Sequence, residues 1–190
     1  YIVGGAVRDE MLGLPVEDMD YVIEATEEQF RKEFPDAPMV GIDFPVFLVE
    51  GDEVALTRTE RSNGNGYGAF ELTGVGVSIV DDLQRRDLTI NAMARNIVSG
   101  VLLDPLNGER DLDMQVIRTT HGASFKDDPV RILRALRFGS RYNFTLHTET
   151  HNQARAYASN LAHVTQERIV LEFEKAYKQS PKPSRFFELM

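Results

Sequence analysis

Two glycines between a short apolar run and a helix-forming segment constrain this chain more than any other feature. Gly4 and Gly5 follow residues 1–3, which have strand character, and precede residues 6–12, whose composition favours a helix. Glycine lets the backbone turn tightly and approach a ligand closely. The free N–H groups of a helix N-terminus favour phosphate. The stretch therefore predicts a strand, a tight turn and a helix that together face an anion.

A cation in the first turn of that predicted helix supports the same interpretation. Arg8 gains nothing from the helix dipole at this position, because the dipole favours negative charge near an N-terminus. Its presence indicates either an anionic ligand or a carboxylate partner. Gly13 and Pro15 then end the helix.

Two carboxylates follow at a spacing of two residues. Asp18 and Asp20 lead into the apolar residues 21–23, and in a strand residues two apart share a face, roughly 6–7 Å apart. Asp-x-Asp alone is more typical of a solvated strand edge. Beside a phosphate-binding turn, however, it suits Mg²⁺, which takes one or two carboxylates plus substrate phosphates. The combination predicts a nucleoside triphosphate site for metal-assisted phosphoryl or nucleotidyl transfer.

Charge and composition limit the other functions that this chain could have. The net charge of −9 argues against a general nucleic-acid binder, although arginines cluster at 58–61, 85–86 and 131–141. If the protein handles RNA, most of the RNA-holding surface is expected outside this chain. The sequence has no cysteine and no apolar run near the ~18–20 residues of a membrane span, which fits a cytoplasmic protein. The first residue is Tyr1, so either a fragment or a chain with its disordered ends omitted is expected.

A pair of arginines marks a second polar segment, at residues 81–94. Helical periodicity places Leu83, Ile90 and Met93 on one apolar side, with Arg85 and Arg86 beside it. Such a pair is usually a solvated helix face. A fixed guanidinium is also suited to a bidentate grip on phosphate or ribose oxygens.

A third segment carries an arginine stripe. Asp128 before Pro129 predicts a helix N-cap followed by proline at the first helical position. Arginines then recur at 131, 134, 137 and 141, which is one side of a helix. Because residues 131–141 contain no acidic residue, we expect the arginines of the stripe to repel one another. A triphosphate or an RNA end would relieve that repulsion.

The remaining predictions are structural. Thr26 and Gln29 predict a capping box for a helix over 26–34, and residues 44–49 and 53–57 predict a strand pair, the first strand buried on both faces. Residues 62–68 predict a loop, either a mobile connection or an active-site flap, and Glu60 before it is a candidate third carboxylate. No strand is expected after about residue 120, where helices are predicted over 147–159 and 165–178.

Taken together, these segments resemble a known family. Gly-Gly-Ala-Val-Arg-Asp with Asp18-x-Asp20, Arg-Arg-Asp-x-Thr-x-Asn-Ala from residue 85 and Asp-Pro-x-x-Gly-x-x-Asp-Leu from residue 104 are similar to motifs of class II nucleotidyltransferases. Those are the tRNA nucleotidyltransferases (CCA-adding enzymes) and the bacterial poly(A) polymerases. The resemblance extends to about residue 175. Residues 44–47 and 58–67 look most like the gamma-proteobacterial type of CCA-adding enzyme.

The resemblance implies an α+β fold. Residues 1–118 would form a polymerase beta-like nucleotidyltransferase head domain with a mixed sheet, and residues 119–190 an all-helical neck; the family's body and tail do not fit in the remaining length. The implied activity is Mg²⁺-dependent addition of CTP and ATP to the 3′ end of tRNA. A poly(A) polymerase, an enzyme adding only CC or only A, and a nucleotide-binding module without catalysis remain alternatives.

Site residues follow from the same resemblance, motif by motif. Asp18 and Asp20 would be catalytic and hold the metal. The residues that would bind the nucleotide are Gly5, Arg8, Arg86, Arg134 and Arg137. Asp128 and Arg131 would select the base, since a carboxylate accepts from the exocyclic amino group that cytosine and adenine share.

Two details of the resemblance concern the helical part. Asp127 stands where the family has Glu, which keeps the charge but shortens the side chain. Arg168, in the last motif, is expected to pair with an acidic residue rather than touch substrate.

Overall fold

The structure is a computed structural model that describes residues 1–41, 46–62 and 70–190. The chain divides into two compact units. The first includes Tyr1–Arg61, Glu71–Arg86 and Asn91–Gly108, and the second includes Asp87–Ile90 and Glu109–Met190. The head and neck ranges 1–118 and 119–190 stay a prediction. Phe44, Pro45 and nearly all of the predicted loop at 62–68 lie outside the described residues.

The first unit is built on a mixed sheet. Its strands, in chain order, are β1 (Ile2–Val3), β2 (Asp20–Ile23), β3 (Met39–Val40), β4 (Val46–Val49), β5 (Asp52–Leu56), β8 (Ala94–Arg95) and β9 (Leu102–Leu103). They are hydrogen-bonded in the order β3-β4-β5-β2-β1-β8-β9. Strands β2 and β5 are parallel, whereas β1 pairs antiparallel with β2 and β8. A separate two-stranded sheet joins β6 (Arg58–Ser62) and β7 (Phe70–Val75). The predicted α+β fold with a mixed sheet is therefore confirmed.

Local turn signals account for the edge of this sheet. The predicted strand pair is present as the β4–β5 hairpin, whose turn uses positive φ at Glu50 and Gly51 (53° and 98°). Only Phe47 of β4 is fully buried, so the prediction of burial on both faces is wrong. Phe47 packs against Phe30, with ring centroids 4.3 Å apart.

The helices of the first unit are short. They are α1 (Gly5–Met11), α2 (Glu27–Glu33) and α3 (Ile79–Gln84). Helix α2 begins with the predicted capping box, in which Thr26 and Gln29 satisfy each other's backbone N–H groups.

The helical periodicity of residues 81–94 does not correspond to a single helix. Helix α3 ends at Gln84, and a 3₁₀ turn over Thr89–Asn91 follows. Hydrogen bonds to backbone groups that are distant in the sequence replace the helical ones. The Thr89 N–H donates to the Arg118 carbonyl, and Leu88 forms an isolated antiparallel β-bridge with Thr119. The apolar side of this segment was predicted correctly, because Leu83, Ile90 and Met93 are all 0% exposed.

The second unit is mainly helical. Its helices are α4 (Gly108–Asp113), α5 (Ser124–Asp127), α6 (Val130–Tyr142), α7 (Thr148–Tyr157), α8 (Gln166–Gln179) and α9 (Ser184–Glu188). Strands β10 (Val116–Ile117) and β11 (Thr145–Leu146) pair in parallel, which corrects the expectation of no strand after residue 120. The predicted helices near 147–159 and 165–178 are present as α7 and α8.

Helix α6 is the core of this unit. It packs against α8 and α9, and it ends at Asn143, whose left-handed backbone (φ 56°) stops the helix. Gly139 leaves room for α9, because a Cβ there would lie 2.7 Å from Leu189 Cδ1. Among the residues that the structure describes, no helix is both long and apolar enough to cross a membrane.

Candidate active site

The glycine turn brings together three elements of the first unit. Gly4 has φ of 66°, and its N–H donates to the carbonyl of Met93, the residue before β8. Strand β1 places Val3 opposite Asp20 on β2. A Cβ at Gly4 would lie 3.0 Å from Arg86 Nη1 and 4.0 Å from Asp20 Oδ2. Glycine is therefore required here, and the turn meets a carboxylate and a guanidinium at one point.

Asp18 precedes the second strand instead of lying in it. Strand β2 begins at Asp20, so only one of the two carboxylates lies in the expected strand. The two carboxylates still influence each other. Burial raises the pKa of Asp20, Arg86 opposes this effect, and the neighbouring charges of Glu53 and Asp18 raise the pKa further.

This charge arrangement fits a divalent cation. Carboxylates that repel each other beside a phosphate-binding turn are stabilised by a hard cation, and Mg²⁺ needs only one or two of them when substrate phosphates complete its shell. The described residues contain no group of three or more His, Cys, Asp or Glu that could hold a metal alone. Metal binding by Asp18 and Asp20 stays a prediction.

Arg8 is buried directly beneath the turn. It is only 4% exposed, donates to the Asp9 carboxylate at 2.8 Å and also donates to Asn91 Oδ1. Its Nη2 lies 3.4 Å from the position that a Cβ would take at Gly5. Of the two alternatives from the sequence, the carboxylate partner is therefore present, and the cation still lies against the backbone of the turn.

A buried carboxylate that sequence reasoning missed holds Arg86. Asp82 is 0% exposed, and its Oδ2 accepts from Arg86 Nη2 at 3.0 Å. Its Oδ1 accepts from Arg85 Nη2 at 2.7 Å and from the Arg58 N–H at 3.1 Å. The signal was available, since an acidic residue three and four positions before two arginines can pair with both along a helix.

Electrostatics keep that carboxylate ionised. Burial alone would raise the pKa of Asp82, but Arg85 and Arg86 outweigh it and hold the pKa below its ordinary value. Glu60, the candidate third metal carboxylate, is also engaged by cations. Its Oε1 accepts from Arg58 Nε at 2.6 Å and from Arg85 Nη1 at 3.0 Å.

In the second unit, the arginine stripe of α6 has acidic partners from elsewhere in the chain. Arg134 Nε donates to Asp87 Oδ2 at 2.7 Å, and Arg137 Nε donates to Glu172 Oε2 at 2.6 Å. The expectation of a self-repelling stripe without acidic partners is therefore wrong. Arg137 is 4% exposed, whereas 33% of the Arg134 side chain is exposed.

The two residues assigned to base selection are each held by a different partner. Asp128 accepts from Arg168 Nη2 at 2.7 Å and from Arg168 Nη1 at 3.1 Å, which confirms that Arg168 pairs with an acidic residue. Arg131 Nη1 donates to Ser124 Oγ at 3.1 Å. Helix α6 begins at Val130, one residue later than predicted, and the Val130 N–H lies 3.3 Å from its acceptor, Asp128 Oδ1.

The mixed sheet, the glycine turn and the acidic start of β2 define the class of the first unit as a nucleotidyltransferase head domain. The family model of the Poly A polymerase head domain matches residues 1–118, and that of the probable RNA and SrmB-binding site of polymerase A matches residues 143–190. The chain belongs to the Poly A polymerase head domain family. The resemblance to class II nucleotidyltransferases is thereby confirmed.

Curated relatives and solved structures agree with this assignment. The chain is 46% identical over 195 residues to the Multifunctional CCA protein of Nitrosococcus oceani, covering 100% of this chain and 47% of that protein. The Bacillus stearothermophilus CCA-adding enzyme in complex with CTP matches with a TM-score of 0.83 and 33% identity, covering 100% of this chain and 46% of the other.

A further solved structure contains RNA as well as a nucleotide. A tRNA nucleotidyltransferase complexed with a primer tRNA and an incoming ATP analog matches with a TM-score of 0.76 and 35% identity, covering 100% of this chain and 55% of the other. The chain thus spans about half the length of the relatives that it matches.

Proposed function

We propose that this chain is the catalytic part of an enzyme that adds CTP and ATP to the 3′ end of tRNA and releases pyrophosphate. The observation that carries the proposal is the meeting of the Gly4 turn, Asp20 and Arg86 at one point in the first unit. A phosphate-binding turn, a metal-binding carboxylate and a fixed guanidinium are the groups that nucleotidyl transfer needs. Relatives named as CCA proteins and CCA-adding enzymes support this choice of reaction.

Asp18 and Asp20 are proposed to bind Mg²⁺ together with the phosphates of the nucleotide. When bound, the metal would lower the pKa of the attacking 3′ hydroxyl and neutralise charge on the α-phosphate and pyrophosphate. The helix N-terminus at Gly5 and the buried cation of Arg8 place positive potential at the turn. Asp82 holds the planar guanidinium of Arg86 in place, and Arg86 donates hydrogen bonds to phosphate or ribose oxygens.

Asp128 and Arg131 are proposed to select the incoming base in place of a nucleic-acid template. The Asp128 carboxylate, held by Arg168, accepts from the exocyclic amino group of cytosine or adenine. Arg131 donates to a ring nitrogen or a carbonyl oxygen. Uracil and guanine present the opposite pattern at the exocyclic position and would be refused.

Arg134 and Arg137 of the second unit are proposed to act on the triphosphate in different ways. Arg134 keeps a third of its side chain exposed and is open to contact with a phosphate while paired. Arg137 is buried against Glu172, so we infer that it supports the nucleotide site by holding α6 to α8 rather than by contact with a phosphate. With tRNA and nucleoside triphosphates as substrates, a cytoplasmic location is proposed as well.

The test is incubation of the full gene product with tRNA that lacks its terminal CCA and with each nucleotide separately. We expect CTP alone to add two residues and ATP to be added only after them. Addition of ATP alone in long tails would instead show a poly(A) polymerase. Binding of CTP and ATP by calorimetry without any extension would show a nucleotide-binding module without catalysis.

A further inference from the structure

We propose that Ser124 is a positioning residue for base selection, because its buried hydroxyl fixes the guanidinium of Arg131. The proposal rests on the proposed function, and in particular on the role of Arg131 in choosing the base. No sequence motif pointed to this residue.

Ser124 is 0% exposed and opens the short helix α5. Its Oγ accepts from Arg131 Nη1 at 3.1 Å and donates to the Asp87 carbonyl oxygen at 3.3 Å. A serine hydroxyl has one proton to donate and lone pairs to accept, so both contacts form at once. The donated bond fixes the hydroxyl rotor, and the accepting lone pair then points at Arg131.

The same residue is also connected to the other base-selecting side chain through the backbone. The Ser124 carbonyl oxygen accepts from the Asp128 N–H at 3.2 Å, which sets the turn from α5 into α6. The Asp128 carboxylate itself is oriented separately, by two bonds from Arg168. Ser124 therefore orients the hydrogen-bond donor, Arg131. Arg168 independently orients the acceptor, Asp128.

The orientation of the Arg131 guanidinium matters because specificity is the difference between the affinities for the correct and the incorrect base. An arginine side chain has several rotatable bonds, and an unrestrained guanidinium can turn to satisfy an incorrect base as well as a correct one. A partly buried hydrogen bond from a charged donor, such as that from Arg131 to Ser124, restricts that freedom. Loss of the Ser124 hydroxyl should thus relax base choice while leaving the metal-binding carboxylates of the first unit unchanged.

The experiment compares Ser124→Ala with wild type in the full gene product, on tRNA that lacks its CCA end. The readout is the ratio of kcat/KM for CTP to kcat/KM for UTP. We expect this ratio to fall about tenfold, which corresponds to roughly 1.4 kcal/mol of lost discrimination. Because a ratio is independent of the fraction of folded protein, it stays measurable even if the variant is less stable.

Ser140→Ala is the matched control. Ser140 is another buried serine, 2% exposed, but its Oγ lies 2.6 Å from Ser180 Oγ and it has no bond to Arg131 among the described contacts. Its variant should keep the wild-type ratio. The double variant Ser124→Ala with Arg131→Ala should be no less selective than Arg131→Ala alone, since Ser124 acts only through the guanidinium that Arg131→Ala removes.

The outcomes separate this inference from the function on which it rests. A wild-type protein without preference for CTP over UTP overturns the proposed function and the role of Ser124 together. A selective wild type with an equally selective Ser124→Ala variant overturns only the role of Ser124. An equal loss of selectivity in Ser140→Ala also overturns the role of Ser124, because general destabilisation of the second unit would then explain the loss.

Discussion

Arg168 holds the carboxylate of Asp128 with two parallel hydrogen bonds, from Nη2 to Oδ2 at 2.7 Å and from Nη1 to Oδ1 at 3.1 Å. The two residues are 40 positions apart in the sequence. The bond joins the first turn of α8 to the residue that links α5 and α6. A carboxylate held in this way has a fixed plane, and it stays an acceptor.

The first prediction follows from that geometry. Arg168→Lys keeps the charge but replaces a planar fork with a single ammonium group. We expect the preference for CTP over UTP to fall severalfold, as measured by incorporation from mixed nucleotides. Arg155→Lys, at an exposed position of α7, is the control and should behave as wild type. A wild-type preference in Arg168→Lys would show that Arg168 braces the helices without orienting Asp128.

Glu172 is the acidic partner of the most deeply buried arginine in the α6 stripe. Glu172→Ala would leave Arg137, 4% exposed, without this carboxylate, and breaking a buried pair costs about 3–5 kcal/mol. Urea unfolding measures the loss. Glu174→Ala on the same helix removes an exposed pair with Lys178 and should cost under about 1 kcal/mol. Equal losses in the two variants would mean that the Arg137–Glu172 pair does not stabilise the unit.

Asp82 gives a prediction that depends on pH. Because its pKa is lowered in the folded protein, its stabilising effect is fully present above the unfolded value of about 3.9 and is lost as pH falls below that value. Asp82→Asn should therefore reduce the free energy of unfolding by about 2–4 kcal/mol at pH 7 and by less at pH 3.5.

Denaturant titrations at the two pH values measure this difference. Asp81→Asn, at the exposed neighbouring position, is the control and should show a small change at both pH values. A deficit for Asp82→Asn that is independent of pH would contradict the ion-pair account.

Gly76 is constrained both by its backbone and by its surroundings. A Cβ there would lie 2.8 Å from the Thr26 nitrogen and 2.9 Å from the Ala25 carbonyl carbon, at φ of +73°. Gly100 has a similar φ of +70° but nothing within 4 Å of its Cβ position. Gly100→Ala should cost about 1 kcal/mol from backbone strain, and Gly76→Ala at least about 2 kcal/mol more. Similar unfolding energies for both variants would show that the chain relaxes around residue 76.

The sequence was sufficient where the determinants are local. The glycine turn before α1, the capping box of Thr26 and the hairpin at Gly51 each depend on residues within a few positions of one another. Burial of Leu83, Ile90 and Met93 was also predictable, although the helix that was expected to carry them is broken.

The errors share a physical cause, which is contact between residues far apart in the chain. Arg134 pairs with Asp87, 47 positions away, and Arg137 pairs with Glu172, 35 positions away, so these acidic partners could not be read from the sequence around the stripe. The break after Gln84 depends on the Arg118 carbonyl. Ser124 gave no local signal as a partner of Arg131. Asp82 could have been found, because it lies within one helical turn of Arg85 and Arg86.

The measurement that tests the account most directly is transfer of CMP from CTP to tRNA that lacks its CCA end, by Asp18→Ala and Asp20→Ala variants of the full gene product. We predict loss of transfer in both variants, with circular dichroism and unfolding curves that show an intact fold. Transfer at a rate near wild type in either variant would contradict the role of these carboxylates in catalysis.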